Sequence, residues 1–116
     1  MKRIVWLGAL LLLGPLVHAR PADEGEAVRA VFGAYRAALL AQEGAKAWEL
    51  LDADSRAYYG RAITQALELP RAGLDRLDLV TRFIVLRLRW LKTRSELRRM
   101  DCRSLFVLAV DSGWVG

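Results

Sequence analysis

The stretch Leu74–Leu91, LDRLDLVTRFIVLRLRWL, is the densest apolar run beyond the first twenty residues, and it limits what the chain can fold into. Stepped at about 100° per residue, it carries two apolar stripes. Leu74, Leu77, Val80, Ile84, Leu88 and Leu91 form one, with Val85 at its edge; Leu79, Phe83, Leu86 and Trp90 form the other. Asp75, Asp78, Arg82 and Arg89 fill one gap between the stripes, and Arg76 and Arg87 the second. A helix with one apolar stripe lies on a surface, whereas one with two is packed on both sides. The pattern therefore predicts a central helix over 74–91, enclosed by the rest of the fold. Arg82, on the polar stripe, is expected to matter to stability by well under about 1 kcal/mol. The β-branched cluster Val80, Thr81, Ile84 and Val85 also suits a strand, but a span of about five turns favours helix.

Local signals divide the remainder into further helices. Asp23, with Glu26 three residues on, starts a helix after a short 20–22 linker. It runs to about Gln42, with Val28, Val31, Phe32, Tyr35 and Leu39 on one face, and Gly44 suits the position just past its end. A short helix over 45–51 is expected to bury Trp48 and Leu51. Asp52 and Asp54 offer caps for a third helix, from about Ser55 to Leu69, which Pro70 ends. Gly60 inside it predicts a bend or a close contact. Thr93-Arg94-Ser95-Glu96 has capping-box spacing, and Asp101 is placed to cap a last helix over 102–110, with Leu105, Phe106, Leu108 and Ala109 buried. No segment shows sustained alternation, so the fold class is mainly α.

The chain opens MKRIVWLGALLLLGPLVHA, a basic start, an apolar run and a small-x-small site at Val17-His18-Ala19. That is the layout of a secretory signal peptide. The run is shorter than the roughly 20 residues of a membrane span, and Gly14-Pro15 breaks it. Residues 1–19 are therefore read as a signal peptide and 20–116 as a single helical domain, exported to the periplasm or beyond and starting at Arg20. Removal of the leader takes away His18, the one histidine, and lowers the formal charge from +5 to +3 with Lys2 and Arg3.

This inventory excludes much chemistry. Histidine-based acid–base work, nucleophilic triads and zinc sites lack their residues, and no glycine-rich phosphate loop is present. Asp52-x-Asp54 fails as a calcium loop, because Ala57 falls at the turn glycine and Ile63 at the bidentate glutamate. Neither cofactor nor metal is expected. Cys102 is the chain's single cysteine, so no internal disulfide can form. It reads either as a small buried apolar residue or as a thiol free for an intermolecular bridge. From Arg71 to Arg103 there are ten Arg or Lys against four acids. Their spread over several faces, together with export, argues against nucleic acid. An ordinary solvated face or a surface for an anionic envelope partner remains, with Arg94, Arg98 and Arg99 as the electrostatic candidates.

Residues 28–62, VRAVFGAYRAALLAQEGAKAWELLDADSRAYYGRA, order an amphipathic helix, a glycine break, a Trp-containing helix, an acidic turn and a Tyr-rich helix. This order resembles the helical opening of the nuclear transport factor 2-like superfamily, with its polyketide cyclase-like and ketosteroid isomerase-like members. The resemblance covers about a third of the chain and carries over no catalytic residue. It implies the helical half of an α+β cone-shaped fold, with the chain reaching Gly116 where long strands are expected. Tyr35, Tyr58 and Tyr59 would then be the polar wall of a pocket. An uncovered surface would take in the second stripe, Phe106 and Trp114, and drive self-association or recruitment of a protein partner. The residues thus point first to an exported, non-enzymatic binding or assembly protein. The resemblance points instead to a pocket protein, either a small-molecule binder or a cyclase- or isomerase-like enzyme.

Overall fold

The computed structural model describes residues 21–115, and every regular element in that range is helical; the chain is mainly α. The expected signal peptide, with His18 and the cleavage site, lies outside the described residues. Helix α1 spans Pro21–Leu40, α2 Gly44–Trp48, α3 Ala53–Glu68, α4 Leu79–Leu91, α5 Arg94–Arg99 and α6 Cys102–Asp111. A 3-10 segment, Arg71–Arg76, stands between α3 and α4.

The described residues fall into two units, one ending at residue 33 and one beginning at residue 34. In the first, the described residues are the leading part of α1. It starts at Pro21 rather than after a linker, since proline's missing N–H needs no partner in a first helical turn. Val28, Val31 and Phe32 are exposed, not buried as their periodicity suggested. Spacing makes a face apolar without supplying anything to cover it.

In the second unit α1 closes with a left-handed residue, Gln42 at φ 55°, not with Gly44. The N–H of Glu43 donates to Ala38 O at 2.9 Å and that of Gln42 to Leu39 O at 3.0 Å, which satisfies the last carbonyls of the helix. Gly44 has a different task. Its N–H donates to Asp111 Oδ1 at 2.8 Å, and a Cβ there would lie 2.8 Å from the Val107 backbone. Only glycine lets α2 approach α6 so closely. The other caps follow the local signals: Asp52 accepts from Ser55 N–H, while Thr93 with Glu96 and Asp101 with Ser104 form capping boxes.

The middle of this unit is α3, which packs against α4, α5 and α6. Phe106, on α6, is fully buried, with Trp48 at 5.8 Å and Tyr59 at 5.0 Å between ring centres. It sits in the core and belongs to no uncovered surface, contrary to one expectation above. Leu108 is half-buried and Val110 takes the buried place instead. Gly60 leaves α3 unbroken and sits in ordinary contact with Cys102 Sγ, where a Cβ would stand 3.7 Å away.

The helix expected over 74–91 is shorter, and it is packed on one side only. Asp78 caps it, accepting from Thr81 N–H at 2.8 Å, so Leu74 and Leu77 fall before its start. Thr81, Ile84, Val85 and Leu88 face α3 and are buried; Val80 and Leu91, assigned to the same stripe, are exposed. Nor are Arg82 and Arg89 idle on a wet face. Arg82 donates to the carbonyls of Leu74, Asp75 and Leu77, at 3.0–3.2 Å, and closes the 3-10 segment. Arg89 donates to Gln65 O, Ala66 O and Leu69 O at the end of α3, where Gln65 O also takes the N–H of Leu69 at 2.9 Å.

Urea melts check this assignment. Ile84→Asp buries an unpaired carboxylate and is expected to prevent stable folding. Arg89→Ala should cost about 1–3 kcal/mol, because charged hydrogen bonds to carbonyls are lost. Arg87→Ala should cost under about 1 kcal/mol. Equal midpoints for the Arg87 and Arg89 variants would show that α3 does not depend on Arg89 for its cap.

Candidate functional site

Directly opposite the buried face of α4 stands the second apolar stripe, and it is uncovered. Leu79 is 79% exposed, Phe83 43%, Leu86 47% and Trp90 84%. Because α4 has 13 residues, the stripe is about 20 Å long. Leaving such side chains in water forgoes about 1.5–3 kcal/mol each when fully exposed. No described helix is long and apolar enough to cross a membrane.

Arginines border the stripe, and α4 contains no carboxylate. Arg82 and Arg89 lie along one flank, held by their carbonyls. Arg87 lies on the other, its guanidinium 5.6 Å from the Phe83 ring centre and 5.5 Å from that of Trp114, which is half-buried. Beyond Trp90 the basic series continues through Lys92 to Arg94, Arg98 and Arg99 of α5, all three arginines exposed. Arg94 and Arg98, four residues apart, share a face; Arg99 turns to Ser95 Oγ at 3.0 Å. Nearby acids offset this charge only in part, since ten Arg or Lys stand against four acids from Arg71 to Arg103. Asp78, Glu96 and Asp101 serve in caps, and those hydrogen bonds hold their carboxyls below the usual range, so they stay ionised. Lys92 reaches Glu96 at 3.7 Å, but among the described residues no carboxylate pairs with Arg87, Arg94 or Arg98.

The three tyrosines come together elsewhere. Tyr35 from α1 and Tyr58 and Tyr59 from α3 line a cleft of about 420 Å³ with Leu51, Asp54 and Ser55. Tyr58 is less available than its place suggests. The Thr81 hydroxyl donates to Asp78 Oδ2 at 2.7 Å, so its single proton is used and it accepts from the Tyr58 phenol, also at 2.7 Å. Tyr59 meets Tyr58 edge-on at 5.1 Å. Burial pushes the Tyr35 phenol up, and burial together with the neighbouring Tyr35 and Tyr58 pushes Tyr59 up to about 12. The cleft therefore offers neutral hydroxyls and aromatic edges: it can hold a molecule, but Tyr59 cannot serve as a base near neutrality. Among the described residues no three His, Cys, Asp or Glu side chains gather closely enough to hold a metal ion. Cys102 is half-buried at the start of α6 and packed against the core.

Two contributors were beyond sequence reasoning, the carbonyl-capping roles of Arg82 and Arg89, whose acceptors lie 5–8 and 20–24 residues away. Trp90 and its stripe were visible as apolar; their exposure was not. Comparison with protein-family models, curated proteins and solved structures gives no match, so the site is read from its own geometry.

Tyr59 makes the cleft testable. Its proton is held more tightly in the folded state than at the ordinary value of 10.0, so its contribution to stability is full below about pH 10 and is lost as pH rises towards 12. Alkaline titration followed by tyrosinate absorbance should show one phenol ionising late, together with loss of helical circular dichroism. In Tyr59→Phe the late step should vanish; its persistence would place the buried phenol elsewhere.

Proposed function

We propose that the chain is an exported, non-catalytic binding protein that docks through the outer face of α4 on a partner carrying negative charge. One observation carries this reading. The helix that supplies Ile84, Val85 and Leu88 to the core keeps Leu79, Phe83, Leu86 and Trp90 in solvent, between arginines. Monomeric proteins seldom retain a contiguous apolar surface with no use for it. Export rests on the amino-terminal layout Lys2-Arg3, the apolar run and Val17-His18-Ala19.

A photoactivatable phenylalanine analogue placed at Trp90, with a second variant carrying it at the exposed Arg61 of α3, tests docking and export together. The chain recovered from the exported fraction should begin at Arg20 by mass, and irradiation should give adducts from position 90 and not from 61. Absence of adducts at 90, or a chain that keeps residues 1–19, would count against the reading.

The tyrosine cleft supports a second reading, a pocket protein of the nuclear transport factor 2-like kind that takes a small molecule against Tyr35 and Tyr59. A bound ligand would delay the ionisation of Tyr59 further and leave crosslinking from position 90 unchanged.

A further inference from the structure

We infer that the partner of the α4 face is an anionic lipid bilayer, on which the helix lies parallel to the surface with Leu79, Phe83, Leu86 and Trp90 inserted. This rests on the reading of that face as a docking surface and names its occupant.

Two features favour a bilayer over other occupants. The first is charge. A second copy would set Arg87 and its neighbours against their own equivalents, whereas an anionic surface gains from each of them. From Arg71 to Arg103 ten Arg or Lys outnumber four acids, so the region stays cationic. The second is composition. Leu and Phe on the inserted side, Trp90 towards one end and arginines at the rim are the residues that occupy the boundary between headgroups and acyl chains. A polysaccharide would satisfy the arginines but leave the apolar stripe wet.

The length of α4 agrees with this orientation. Thirteen residues are too few to span a hydrocarbon core and enough to lie along one. Its inner side remains on α3, so the rest of the unit keeps its core while the outer side is inserted.

The test is flotation of the processed chain, as recovered from the exported fraction, with vesicles of phosphatidylglycerol and phosphatidylcholine or of phosphatidylcholine alone. Binding is expected to the anionic vesicles and to weaken as salt is raised. Trp90→Ser should reduce it about tenfold or more. Arg87→Gln and Arg94→Gln should each reduce it about fivefold, with helical circular dichroism unchanged. Arg82 and Arg89 are left intact because they hold backbone carbonyls. Equal binding to both vesicle types, no binding to either, or indifference to Trp90→Ser would overturn the proposal. So would a concentration-dependent dimer that Trp90→Ser dissolves, which would identify a second copy as the occupant. Failure with vesicles while position 90 still crosslinks to a protein would overturn the lipid assignment alone; failure of both would remove the docking face itself.

Discussion

The contact of Ile84, Val85 and Leu88 with α3 is the constraint on which the rest of the larger unit depends. These side chains are withdrawn completely from water. With Phe106 and Leu105 of α6 and Leu97 of α5, they make one continuous core around α3. Helices of five to sixteen residues have little stability alone, so their tertiary packing has to hold them. Once the inner side of α4 is committed to α3, its opposite side must face outward. The uncovered stripe is thus a geometric consequence of how the core is built.

Polar interactions then decide how cleanly the elements end. Arg89 reaches from α4 to the last carbonyls of α3, and Arg82 does the same for the 3-10 segment. Each arginine thereby adds positive charge beside the stripe while serving the fold. Asp78 and Asp101 cap helix starts, Glu96 completes the box with Thr93, and these ionised carboxylates are outnumbered by Arg and Lys. Part of the cationic border along the apolar ridge thus follows from a structural demand, element ends whose carbonyls need donors.

Features encoded within a few residues were legible in the sequence. Asp52, the Thr93 to Glu96 box, Asp101 and the stop at Pro70 all act over three or four positions, and each stands where the local pattern puts it. Features that depend on distant partners were not. Gly44 looks like a helix terminator until Asp111, 67 residues away, is seen against its N–H. The double stripe of α4 was read as a helix enclosed on both sides, because periodicity reports which positions are apolar and not what covers them. Tyr35, Tyr58 and Tyr59 share one cleft, yet Tyr58 spends its hydroxyl on Thr81, a partner that no spacing rule would select.

The position of α4 relative to a bilayer is the most direct measure of this account. Cys102 is the only cysteine, so a Cys102→Ser background permits a single spin label, placed in turn by Leu86→Cys and by Arg61→Cys. Power saturation with oxygen and with a polar relaxant reports the depth of each label on anionic vesicles. The account predicts that the label at 86 gains oxygen and loses the polar relaxant on binding, while the label at 61 stays in water. Two labels that remain equally wet on vesicle-bound protein would contradict it.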